Sequence, residues 1–205
     1  MEELQAITRL KQGDLSGLEV LVPKYYDQAV RTAYGIVRDY ELAEDIVQTC
    51  FIQVSEKIDQ FDGRRSFRPW FLRSVVNRAI NAANQDKLLV SLDTEMCEQE
   101  RPFQIDQFLA SLPGPEDVLE TKEMRQIVWR ALGKLSPKQR AAITLRYYLE
   151  MSEVEITQEM NIPKSSVKWW LFTARERLRS LLHPFQLKKT QSAIHPPEAE
   201  KGQKG

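Results

Sequence analysis

The sequence predicts an all-α fold made of two small helical domains, and three observations carry that prediction. Apolar residues recur every three or four positions through most of the chain, as in Leu18, Val22, Tyr25, Ala29 and Ala33. Glycine is scarce, 8 in 205 residues, which disfavours a turn-rich β protein. The patterning lapses between residues 85 and 115, where acids, Pro102 and Leu112-Pro113-Gly114-Pro115 gather. A structureless stretch of that length is unusual inside one compact domain and fits a flexible acidic linker between two.

In the first domain, residues 1–84, apolar residues recur at helical spacing from Leu4 to Ala83. Pro23 lies inside it, so a kink or short break is expected there. Asp39 reads as the N-cap of the next helix, whose apolar stripe is Leu42, Ile46, Cys50, Val54 and Ile58. Phe61-Asp62-Gly63-Arg64-Arg65-Ser66 reads as a loop, and a helix follows from about Phe67 to Asn84. Its Phe71, Leu72, Val75, Val76 and Ala79 are available for burial.

The second domain, residues 116–185, opens with a helix over about 116–134. Ser136-Pro137-Lys138-Gln139 supplies a Ser cap, Pro at the first helical position and Gln at the third, starting a helix to about Tyr148. Ser152-Glu153-Val154-Glu155 is a second capping box, opening a short helix that ends at Met160. Asn161-Ile162-Pro163 makes the turn, and a basic helix runs from about Lys164 to Leu182. Residues 186–205 are polar, carry Pro196-Pro197 and are expected to form a disordered tail.

Composition narrows the function classes. An apolar content of 42% and a charged content of 28% suit a folded soluble protein. No apolar run approaches the roughly 18 residues a membrane span needs, so no membrane insertion is expected. The first residues, Met1-Glu2-Glu3-Leu4, are acidic where a signal peptide is basic, which points to the cytoplasm. Cys50 falls on an apolar helix face and reads as a buried thiol, not the partner of Cys97 in a disulfide. Two histidines, His183 and His195, form no cluster with metal-ligand spacing, so neither metal nor cofactor is expected. Acids are plentiful, but no pair of them is flanked by a nucleophile, a glycine-rich phosphate loop or a histidine, and catalysis is not expected.

The net charge of zero hides a segregated distribution. Residues 61–84 carry five arginines against Asp62, and residues 163–182 carry Lys164, Lys168, Arg175, Arg177 and Arg179 against Glu176. Residues 85–122 hold nine acids and three bases. Two basic segments flanking an acidic one point to nucleic acid. A short helix, a tight turn and a longer basic helix over 152–182 match the geometry that sets a second helix in the DNA major groove.

Here a resemblance enters. Leu135-Ser136-Pro137-Lys138-Gln139-Arg140, Leu145-Arg146-Tyr147, Ser152 with Glu155-Ile156, Ile162-Pro163 with Val167-Lys168, and Ala174-Arg175-Glu176-Arg177-Leu178-Arg179 resemble region 4 of bacterial sigma factors. Ala43-Glu44-Asp45-Ile46-Val47-Gln48 and Phe51, then Phe61-Asp62-Gly63, Ser66-Phe67, Trp70, Arg73 and Asn77, are similar to region 2 of the extracytoplasmic-function (ECF) type of the sigma-70 family. The resemblance implies a promoter-specificity subunit of bacterial RNA polymerase. Region 2 then melts and reads the −10 element and region 4 reads the −35 element.

The residues fit those implied roles. Glu41, Glu44, Asp45 and Gln48 project away from the apolar stripe of their helix, an acidic and amide face suited to a basic partner. The resemblance implies docking there on the β′ clamp helices of core polymerase, with the β flap as a further polymerase contact. Phe61, Asp62, Gly63, Arg64, Arg65, Ser66, Trp70, Arg73 and Asn77 combine stacking rings, cations and an amide, as single-stranded DNA requires. The resemblance sets the loop against a flipped base and gives Asn77 a part in −10 recognition. Lys164, Ser165, Ser166, Lys168, Trp169, Phe172, Arg175 and Arg177 are the candidates for −35 DNA. An anti-sigma protein covering the polymerase-binding faces is also implied.

Four positions depart from the family pattern: Trp169 and Trp170 where a small polar residue and then a cation usually stand, Pro69 before Trp70, and Thr157 in place of a common Ala. Burial of at least one indole is expected. Two other readings compete. A free-standing helix-turn-helix regulator would bind duplex DNA alone and use the Phe61–Asn77 aromatics as core. An enzyme would need a catalytic group that the sequence does not offer.

Overall fold

The computed structural model describes residues 2–90 and 122–194. Helix α1 (Glu2–Lys11) buries Ala6, Ile7 and Leu10 and is joined by a 3-10 turn, Leu15–Gly17, to α2 (Leu18–Val37). Gly17 lies so close to the Ala6 carbonyl that a Cβ there would collide with backbone, and the turn closes on α1 for that reason. Tyr25 donates to Glu3 at 2.6 Å and Lys24 pairs with the same carboxylate, tying α1 to α2.

Asp39 caps α3 (Tyr40–Lys57), accepting from the Leu42 N–H at 3.0 Å as its sequence position predicts. The expected stripe is inward: Ile46, Cys50, Val54 and Ile58 are buried and Leu42 packs against the core. Burial pushes the Cys50 thiol up to about 11, so it stays protonated and unreactive. Cys97 lies outside the described residues. Helix α4 (Phe67–Val90) buries Phe71, Leu72, Val75, Val76 and Ala79, and α2, α3 and α4 pack pairwise around these side chains.

The second unit comprises α5 (Lys122–Gly133), α6 (Pro137–Ile143) with a π-type turn at Thr144–Tyr148, α7 (Glu153–Met160) and α8 (Lys164–Ile194). Both predicted capping boxes form. Ser136 and Gln139 cap α6 reciprocally, and Ser152 and Glu155 cap α7. Asn161, in the left-handed conformation at φ 51°, ends α7 and turns the chain into α8. No strand occurs among the described residues.

Several element ends differ from expectation. Helix α2 passes Pro23 without a break. The proline is the sixth helical residue and removes one intrahelical donor, which the buried face of the twenty-residue helix offsets. Helix α4 continues to Val90, past the expected end at Asn84, because residues 85–90 contain neither Gly nor Pro. Helix α8 continues past Pro184 to Ile194, so the first part of the expected disordered tail is helical. Residues 185–194 are free of Gly and Pro and rich in straight-chain helix formers. The rest of the tail, and the expected linker beyond residue 90, lie outside the described residues.

The two units share one continuous cluster of buried side chains, with α2 and α4 packed on α6, the π-type turn and α7. Trp129 of α5 is fully buried and stacks on Tyr34 at 4.8 Å, with the Arg38 guanidinium 4.9 Å from its ring. Arg140 of α6 is buried and donates to the Ile36 carbonyl at 2.6 Å and to the Leu135 carbonyl at 2.9 Å. Ile36 is in the last turn of α2, where carbonyls lack helical partners and carry the negative end of the helix dipole. A cation from one unit thus caps a helix of the other.

Candidate nucleic-acid interface

Helix α8 is held by its apolar edge. Val167, Leu171 and Ala174 are buried, and Leu178 packs against the same core. Gln139, already part of the α6 capping box, reaches across to donate to Thr173 Oγ1 at 2.9 Å. That pairing fixes the axial position of α8 on α6. At about 100° per residue, the opposite face carries Ser165, Trp169, Phe172 and Glu176. Lys164, Lys168, Arg175 and Arg179 border that face on one side, and Ser166, Trp170 and Arg177 on the other.

Every predicted −35 residue except half-buried Ser166 is exposed. The expected indole burial is partial: Trp170 is half-buried with the Lys138 ammonium 5.7 Å from its ring, whereas Trp169 is 63% exposed. Glu176 is neutralised by an ion pair with Arg179. Lys138 was not among the candidates. It stands on α6, and only the packing of α6 on α8 brings its charge to this surface.

The −10 candidates divide. Phe61 is only 2% exposed, its ring 5.7 Å from Phe67 and 5.3 Å from Trp70. In this structure its ring anchors the loop to the core, where the sequence reading sets it among the −10 candidates. Gly63, Arg64, Arg65 and Ser66 are exposed. Asp62 accepts from the Arg64 backbone at 3.1 Å and from its guanidinium at 3.0 and 3.1 Å, which shapes the loop. These contacts, led by the Arg64 side chain, hold the Asp62 carboxyl below its usual range. Arg73 and Asn77 project from α4 into solvent and Trp70 is half-buried beside them. On α3, Glu41, Asp45 and Gln48 are exposed on one face, with Glu44 half-buried at its edge and accepting from Tyr26 Oη at 3.2 Å. Among the described residues no group of His, Cys, Asp and Glu side chains is placed to hold a metal ion.

Residues 21–87 match the family description "Sigma-70 region 2", and residues 125–178 match "Sigma-70, region 4". The chain is 32% identical over 176 residues to the ECF RNA polymerase sigma factor SigW of Bacillus subtilis, covering 86% of this chain and 94% of that one. The chain belongs to the sigma-70 family. It is also 31% identical over 179 residues to the ECF RNA polymerase sigma-E factor of Escherichia coli K12, covering 87% and 93% of the two chains. The fold is shared with CnrH, solved in complex with the cytosolic domain of CnrY, at a TM-score of 0.59 and 18% identity over 90% of this chain and 99% of that one. It is shared also with the sigma factor RpoE of Bartonella quintana, solved with the anti-sigma factor NepR, at 0.54 and 20% over 82% and 95%. As an ECF sigma factor this protein serves promoter-directed initiation of transcription. Among the described residues no helix is long and apolar enough to cross a membrane.

Proposed function

We propose that three surfaces of this sigma factor divide the work of initiation. The α3 face of Glu41, Asp45 and Gln48, with Glu44 at its edge, docks on the β′ clamp helices of core polymerase, and the second unit meets the β flap. The loop Asp62–Ser66 with Trp70, Arg73 and Asn77 opens and reads the −10 element. The outward face of α8 reads the −35 element. Residues 1–84 form the −10 unit, residues 85–115 join it to the −35 unit of residues 116–185, and residues 186–205 form a tail. The chain catalyses no reaction itself and works in the cytoplasm, where an anti-sigma protein covers its polymerase-binding faces.

The observation that carries this reading is α8. Its buried edge is wholly apolar, its outward side is exposed and flanked by cations, and it follows a capped helix through a left-handed turn. That arrangement is the one by which a helix-turn-helix sets its second helix in a groove, and it supports the −35 reading of α8. The free-standing regulator alternative would leave the α3 face without a partner. Asp45→Arg separates the two: it reverses charge at an exposed position, so the fold stays native by circular dichroism while holoenzyme assembly weakens. Undiminished affinity of a natively folded Asp45→Arg variant for core polymerase would sink the docking assignment.

A further inference from the structure

Trp169 and Phe172 are 63% and 55% exposed, with ring centroids 6.5 Å apart, on a helix whose other side is buried. Large apolar side chains left in water in contact with each other cost free energy unless something covers them. Their position limits what that is. They stand in the middle of the face that points away from the core, with Lys164, Lys168 and Arg175 on one side and Arg177 with Lys138 on the other. The central stripe of the face offers rings where a base-reading helix usually offers Arg, Asn or Gln, the side chains that answer the donor and acceptor pattern of base edges. Cations on both sides suit the two phosphate backbones that wall a major groove. The floor between those walls presents one apolar group, the thymine C5-methyl.

We propose that Trp169 and Phe172 determine −35 specificity by packing on thymine methyl groups. This rests on the assignment of α8 to the −35 element. The flanking cations then supply affinity common to all sequences, and the two rings supply the preference. The indole N–H is a single donor at the ring edge, so hydrogen-bond readout is the lesser part of what these side chains offer.

Deoxyuridine differs from thymidine only by the missing methyl, which makes it the probe. A −35 element is selected by holoenzyme from a library randomised at that site. It is then rebuilt with deoxyuridine for each thymidine in turn, on either strand, and holoenzyme binding is measured. Burial of one methyl is worth about fourfold in affinity. The expected result is a loss of about that size at one or two positions, and no loss at those positions for a Trp169→Ala, Phe172→Ala double variant. Both residues are exposed, and circular dichroism checks that the variant is folded. Lys168→Ala is the control, expected to weaken binding to every template and to lower the salt slope by about one.

If Lys168→Ala behaves so while deoxyuridine is neutral everywhere, or costs parent and double variant equally, the methyl reading is overturned and the −35 assignment stands. Selection of an element without thymine on either strand overturns it as well. If neither Lys168→Ala nor the double variant changes binding at −35, α8 does not face DNA and both readings fall.

Discussion

Asn77 is exposed on α4, seven residues after Trp70 and three after Ser74, so the three share one side of the helix. Trp70 and Ser74 are half-buried, which leaves the amide exposed on that side next to the Arg73 guanidinium. An amide offers donors and an acceptor together and so discriminates base edges that a guanidinium treats alike. A flipped base costs a few kcal/mol to unstack, which contacts in the complex must offset. Asn77→Ala is expected to lose about 1–3 kcal/mol of discrimination at one −10 position while polymerase affinity is retained. Transcription from templates carrying each base at each −10 position measures it, and an unchanged preference at every position assigns Asn77 a purely structural part. Residue types at this site were readable in the sequence and their exposure was not. Phe61 and Trp70 are both aromatic residues beside arginines, yet one is buried against Phe67 and the other reaches the surface. Their fates are set by tertiary neighbours six and nine residues along, which no local pattern encodes.

Helix starts were legible because their chemistry is local. Asp39, Ser136 and Ser152 each accept from a backbone N–H three residues on, as their positions predict. Ser152→Ala removes one of these bonds at the entrance to the helix-turn-helix. The expected cost is about 1 kcal/mol, read as a lower urea midpoint at unchanged slope. The reciprocal bond gives this cap a pH signature. Hydrogen bonds from Ser152 hold the Glu155 carboxyl below its usual value. A carboxyl depressed on folding contributes stability that is fully present above its unfolded value of 4.5 and is lost as pH falls through the lower folded one. Titrating Glu155 by NMR in the parent and in Ser152→Ala checks this: the parental value is expected to lie lower, and coincident curves would reject the coupling. Helix ends were less legible. Pro23 reads as an interruption and the basic helix reads as ending near Leu182, yet α2 runs through Pro23 and α8 through Pro184. A proline inside a helix costs about 3 kcal/mol, which a long helix anchored on a core can offset.

The docking of the two units is the feature least visible in the sequence, because it is made from a main-chain carbonyl, a buried indole and one arginine with no motif linking them. Among the described residues, no carboxylate pairs with the Arg140 charge in the interface. Burial, and after it the nearby Arg38, lower its pKa to about 10, so it is still a cation at neutral pH and donates to the Ile36 and Leu135 carbonyls. Such a group is costly to desolvate and costly to remove, since its loss orphans two buried acceptors. Promoter geometry makes the contact consequential. Elements centred about 25 base pairs apart lie about 85 Å apart along the duplex at ~3.4 Å per pair. A compact chain of this length has a radius of gyration of only about 17 Å. The docked arrangement therefore cannot engage both elements at once, and nine acids between residues 85 and 122 add repulsion from phosphate. The isolated protein is expected to bind promoter duplex poorly, whereas tight sequence-specific binding without polymerase would favour the free-standing regulator. Arg140→Ala is expected to loosen the docked state. It should raise the radius of gyration in small-angle scattering and make Trp129, fully buried in the docked form, more accessible to acrylamide quenching. A variant with the parental scattering profile and quenching would show that the Trp129–Tyr34 stack and the apolar seam hold the units together without Arg140.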